Sequence, residues 1–119
     1  MMVFDNDDTL IYTRYLYNKI EVRQNLFISL LESDMEQALF WTFELYYSGF
    51  EEDTLQYIQS IYNLIYQKKH PTLASYITNM IDKWKTNNDP VYYGNIVATL
   101  STRTYDLQDF CKYCLYIEG

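Results

Sequence analysis

Glycine and proline are nearly missing from this chain, with 3 and 2 in 119 residues. Turn-rich β architectures depend on both, so their scarcity disfavours such folds. Cysteine is as thin: Cys111 and Cys114 are the two, both late in the chain, which is not the framework of a disulfide-stapled secreted domain. His70 is the sole histidine, and no serine or cysteine pairs with it by spacing. The glycines are isolated, so there is no phosphate-cradling loop. Bases number 9 against 16 acids, a net charge of −7. An acidic chain repels nucleic-acid phosphate unless its bases cluster, and Lys68-Lys69 is the only adjacent pair. No apolar run approaches ~20 residues, so no membrane span is expected. The opening MMVFDNDDTL carries acid where a secretory leader carries base. A soluble, cytoplasmic protein without a membrane partner is the expectation.

Apolar residues are plentiful, at 49%, and tyrosine alone contributes 14 residues. Tyrosine, asparagine and isoleucine share AT-rich codons, which accounts for part of this. Tyrosine is also a favoured residue of protein interfaces. The densest stretch is Ser33 to Phe50, SDMEQALFWTFELYYSGF. Ser33 and Glu36 stand at capping-box spacing, and Gly49 suits the left-handed end of a helix. Between them Ala38, Leu39, Trp41, Phe43, Leu45, Tyr46 and Tyr47 cover most of the helix circumference. Such a helix needs neighbours on several sides and belongs at the centre of a helical assembly.

Periodicity extends this to an all-α fold of about six helices in three antiparallel hairpins, either a compact bundle or a short HEAT-like stack. Residues 1–18 form an irregular N-terminal arm. Residues 19–119 form a helical domain, either whole or a fragment of a longer protein. The first helix spans Lys19 to Glu32, facing inward with Ile20, Phe27 and Leu31, widened by Leu26 and Leu30. The second is the Ser33-capped helix. The third starts at an Asp53 cap and buries Leu55, Ile58, Ile61, Tyr62 and Ile65, with Lys68 and Lys69 in its last turn. His70-Pro71 breaks it. The fourth carries Leu73, Tyr76, Ile77, Met80, Ile81 and Trp84. Asp89-Pro90 starts the fifth, whose buried side is Val91, Tyr92, Ile96, Val97 and Leu100; Gly94 within it costs about 1 kcal/mol relative to alanine. The sixth runs from about Asp106 to Ile117, with Leu107, Phe110, Cys111, Cys114 and Leu115 inward. Trp41 and Trp84 read as core anchors.

Two resemblances bear on function. Val3 to Leu10, VFDNDDTL, resembles the first motif of haloacid-dehalogenase-type phosphotransferases. It implies a nucleophilic Asp5 and an acid/base Asp7 that together hold magnesium. That chemistry needs a buried strand to aim the carboxylate and a metal to screen it from phosphate. Here Asp8 replaces the usual glycine, and no alternating strands and helices follow to build a parallel sheet. An acidic terminal segment is the simpler reading. Asn18 through Phe50, above all Ala38-Leu39-Phe40-Trp41 and Glu44-Leu45-Tyr46-Tyr47-Ser48-Gly49-Phe50, resembles helical proteins of giant nucleocytoplasmic DNA viruses. That resemblance transfers no catalytic residue. It implies a viral product acting in the cytoplasm of an infected host cell.

The remaining constellations are weak. Cys111-x-x-Cys114 is half of a zinc site, and inside a helix both thiols fall on the apolar side. The acids Glu32, Asp34 and Glu36, like Glu51 to Asp53, suit helix N-termini. No cofactor or metal is expected. The sequence therefore reads as a non-catalytic interaction module. Tyr46, Tyr47, Phe50, Glu51, Glu52 and Tyr57 present an aromatic and acidic helix surface to a viral or host protein, or to a second copy of the chain. The rivals are magnesium-dependent phosphoryl transfer at Asp5 and Asp7, and nucleic-acid binding through Lys68, Lys69, Lys83 and Lys85.

Overall fold

A computed structural model describes residues 11–107. Within them the chain is helical, with α1 (Lys19–Leu31), α2 (Met35–Tyr47), α3 (Glu51–Ile61), α4 (Leu73–Asn87) and α5 (Val91–Ser101). No helix among the described residues is long and apolar enough to cross a membrane.

The caps show why each helix starts where it does. Asn18 caps α1, its side-chain oxygen accepting from the backbone N–H of Ile20 (3.0 Å) and Glu21 (3.2 Å). The cap of α2 is Asp34, not Ser33: Asp34 accepts from the Gln37 N–H at 3.1 Å. Ser33 instead adopts φ +55°, the left-handed turn that ends α1 and reverses the chain. At the other end of α2, Gly49 has φ +91° and the Phe50 N–H reaches back to the Leu45 carbonyl, as expected for that glycine. The start of α3 lies earlier than Asp53. Phe50 occupies the cap position with no side-chain hydrogen bond, so Glu51, Glu52 and Asp53 all fall in the first turn, where the helix dipole favours them. A π-turn over Tyr62–Tyr66 prolongs α3, closed by the Gln67 N–H to the Tyr62 carbonyl at 2.9 Å. Pro71 and Thr72 form a turn ahead of α4. Asp89 accepts from the Val91 N–H at 3.0 Å and so starts α5 as its spacing predicts.

α2 is central: it packs against α1, α3 and α5. α5 also touches α1 and carries α4 on its other side. The last described helix thus returns to the first two, closing a compact helical assembly, one of the two expected architectures, with five of the expected six helices among the described residues. The expected sixth helix does not begin at Asp106, since residues 104–107 have no regular structure; the rest of it, with Cys111 and Cys114, lies outside the described residues.

The buried side chains follow the expected stripes on α3 and α4, with Leu55, Ile58, Ile61, Ile65, Ile77, Met80, Ile81 and Trp84 all inside. On α1 the face is rotated. Val22, Leu26 and Leu30 are fully buried, whereas Ile20, Phe27 and Leu31 lie along the edge. On α5 Tyr93 is wholly buried and Val91 is exposed. Gly94 sits where α5 closes on α2: a Cβ there would stand 3.0 Å from the Phe43 ring, so any larger residue would require that ring to give way by a few tenths of an ångström. Trp41 is half-buried.

Candidate functional site

The six residues nominated from the sequence do not form one surface. Tyr46 points inward and is 8% exposed. Its hydroxyl accepts from Trp84 Nε1 at 2.8 Å and donates to the Asn88 carbonyl at 3.3 Å. Its ring lies edge-on to Tyr93, 4.9 Å between centroids, and Tyr93 stands 5.3 Å from Trp84. Tyr93 in turn donates to the Glu51 carbonyl at 2.7 Å, which ties α5 to the start of α3. Burial pushes the Tyr93 hydroxyl well above the usual tyrosine range, and electrostatic repulsion from the Tyr46 phenol and from the nearby Glu51 and Glu52 pushes it further. It therefore stays a donor. This Tyr46–Trp84–Tyr93 cluster is core, and Tyr46 is removed from the candidate surface. Glu51 is half-buried and Glu52 exposed.

Phe50 and Tyr57 face a different element. The Lys19 ammonium lies 4.4 Å above the Phe50 ring and 2.8 Å from Asp53 Oδ2. The Lys19 side chain is buried, whereas Asp53 stands largely in water. The Lys19 hydrogen bond, and then its charge, hold the Asp53 carboxyl below its ordinary range. Tyr57 donates to the Arg23 carbonyl at 2.7 Å, and the Arg23 guanidinium lies 4.5 Å over its ring. Burial pushes the Tyr57 hydroxyl up to about 12, with Arg23 pulling the other way. Tyr57, with Lys19, Arg23 and Asp53 but not Phe50, lines a groove between α1 and α3. Its polar end, about 400 Å³, is walled by Lys19, Arg23, Asp53, Gln56, Tyr57 and Ser60. Its apolar end, about 190 Å³, shares Tyr57 and Ser60 and adds Phe27, Ile61 and Leu64.

Tyr47 alone of the six lies on an exposed aromatic surface, and its neighbours come from the arm. Residues 11–18 fold into a tight loop. Tyr12 pairs with Asn18 in an isolated antiparallel bridge, the Lys19 N–H donates to the Ile11 carbonyl at 2.9 Å, and Leu16 turns the chain at φ +67°. Arg14 pins this loop to α2. Its backbone N–H donates to Ser48 Oγ at 2.8 Å and its Nε to Glu44 Oε1 at 3.3 Å. Glu44 is buried, and its other oxygen has no partner among the described residues. A buried carboxylate is costly without a counter-charge, so the arm is held by a group that α2 needs. The guanidinium also lies 4.7 Å from the Tyr15 ring and 5.2 Å from the Tyr47 ring.

The loop's remaining rings extend the surface. Tyr17 packs edge-on to Trp41 at 5.3 Å, and Trp41 to Phe40 at 4.8 Å. Leu16 is 79% exposed, Tyr15 66% and Tyr47 53%, with Phe40 and Tyr12 similarly open. Single exposed rings need no explanation, but a contiguous set of this size does. The signal was in the sequence, because Tyr12, Tyr15, Leu16 and Tyr17 cluster there without a helical period. An aperiodic apolar run beside a helix is what a docked, half-exposed loop looks like.

The other nominated groups are dispersed. His70 Nε2 lies 3.0 Å from the Thr104 carbonyl and 3.1 Å from its hydroxyl, tying the break before α4 to the chain after α5. Lys68 and Lys69 come just after the π-turn, and Lys83 and Lys85 flank Trp84 on α4. No group of three metal-ligating side chains occurs among the described residues. Asp5 and Asp7 lie outside them. No family model, curated protein or solved structure matches this chain.

Proposed function

We propose that this chain is a non-catalytic protein-interaction module. Its binding face is the arm–α2 surface of Tyr15, Leu16, Tyr17, Phe40, Trp41 and Tyr47. One observation carries the reading: these rings are held in place by the ion pair of a half-exposed Arg14 with the buried Glu44, and not left on a loose tail. Binding surfaces draw their energy from a few rigid aromatic anchors, and preorganisation removes the cost of ordering them. Because Glu44 neutralises Arg14, the face is close to uncharged. It suits an apolar protein surface that offers hydrogen-bond acceptors to the tyrosine rim. Given the resemblance of residues 18–50 to helical proteins of giant DNA viruses, the partner is a viral or host protein in the infected cytoplasm.

The test compares the full chain with the triple variant Tyr15→Ala, Leu16→Ser, Tyr47→Ala as bait in extract from infected cells. Circular dichroism confirms that both are folded. Loss of a specific protein by the triple variant, with retention by Lys85→Ala on the distant α4, is the expected outcome. Identical recovery by all three baits rejects the surface. Self-association abolished by the triple variant would make the partner a second copy of the chain.

A further inference from the structure

Exposed apolar surface is concentrated on one side of this molecule. Ten large apolar or aromatic residues are exposed among the described residues, and seven of them lie on the arm–α2 face: five in the arm, with Phe40 and Tyr47 from α2. The other three, Ile28, Met35 and Val91, are scattered over α1, the start of α2 and α5. Hydroxyl pairing draws the same boundary. The hydroxyls of Tyr12, Tyr15, Tyr17 and Tyr47 have no hydrogen-bond partner among the described residues. Those of Tyr46, Tyr57, Tyr62, Tyr93 and Tyr105 all donate to backbone carbonyls.

Charge, self-complementarity and area all fit a second copy of the chain. Residues 11–18 include one charged side chain, Arg14, and Glu44 offsets it. Two molecules of net charge −7 repel, so an uncharged face is where they can approach. A two-fold interface also sets a patch against itself, so a charged patch would meet its own sign. Tyrosines satisfy one another: a hydroxyl both donates and accepts, and the edge of one ring packs on the face of the next. At about 200 Å² for a fully exposed aromatic residue, the seven exposed residues offer roughly 750 Å² a side. A standard interface takes about 800 Å² from each partner. We propose that the arm–α2 face joins two copies of this chain into a symmetric dimer. This rests on that face being the binding surface, and it names the occupant.

Sedimentation of the full chain over a range of concentrations tests the dimer. The average mass should climb from one chain to two at micromolar concentration, the weak end of the range for interfaces of this size. Leu16→Asp should weaken association roughly tenfold or more, because it buries an unpaired charge in the contact. Leu16 stands at φ +67°, which aspartate accepts more readily than leucine, so the loop keeps its shape. Val91→Asp adds the same charge outside the face and should leave association nearly unchanged. Added salt should tighten the dimer by screening the repulsion between two acidic chains. Should Leu16→Asp disturb the helical melt, Tyr15→Asp gives the same reading at the neighbouring ring. A chain still monomeric at about 100 μM overturns the dimer. So does self-association indifferent to Leu16→Asp and Tyr15→Asp, and so does one that salt dissolves. If the chain is monomeric and its Tyr15, Leu16 and Tyr47 triple variant still loses a captured protein, the dimer alone falls and the binding face stands.

Discussion

Tyr46 and Tyr47 are adjacent, identical and opposite in fate. Tyr46 closes a buried hydrogen-bonded cluster with Trp84 and Tyr93, while Tyr47 stands half in solvent beneath the Arg14 guanidinium. Residue type does not separate them. One step along a helix turns the side chain by about 100°, and the neighbours of α2 decide the rest. α4 and α5 supply rings, a backbone carbonyl and complete burial on one side. On the other the arm supplies a cation and further exposed rings. The aromatic richness of this chain therefore serves two ends, cohesion around Tyr93 and display around Tyr15.

The contrast is sharpest in large truncations. Tyr93→Ala should cost about 3–5 kcal/mol in urea unfolding, since it empties a fully buried aromatic site. Tyr15→Ala on the display side should stay within about 0.5 kcal/mol. Equal losses would erase the distinction. A finer cut uses the hydroxyls. Tyr46→Phe strands the Trp84 N–H and the Asn88 carbonyl and should cost about 1–2 kcal/mol. Tyr47→Phe should leave the midpoint nearly unmoved. Smallest is the Lys19–Asp53 pair, where a buried ammonium meets an exposed carboxylate. Asp53→Asn should cost about 1 kcal/mol, held down by screening of Asp53. Its pH dependence has a definite sign. The folded chain holds Asp53 below its ordinary value of 3.8, so the contribution is whole above that value and fades as pH falls towards the lowered one. Comparing wild type with Asp53→Asn in acid unfolding reads this directly: the gap between them should close in that window and stay constant above it.

Much of the fold was legible. The stripes on α3 and α4, the glycine stop of α2 and the Asp89 start of α5 are local patterns with local causes. The central place of α2 was also readable from its all-round apolar surface. The misses were non-local. Nothing in residues 19–32 says which flank of α1 meets α2 and α5, so the inward face was read about one position off. Ser33 has the chemistry of a cap, but the reversal between α1 and α2 needs a left-handed residue first, which moves the cap to Asp34. Tyr93 and Tyr46 read as surface candidates or went unnoticed, because the partners that bury them come from helices far along the chain. The candidate surface shifted for the same reason. Its anchor, Glu44, looks like an ordinary helix acid until Arg14 is seen to reach it across the fold.

Gly94 carries these two halves further. The missing methyl leaves just enough room for the Phe43 ring, and Phe43 leans on Tyr47 at 6.2 Å. The seam between α2 and α5 and the outward-facing rings thus share one movable side chain. Bulk added at the seam would be relayed through Phe43 and felt at the displayed face, which makes a concealed glycine a control point for a surface it never touches.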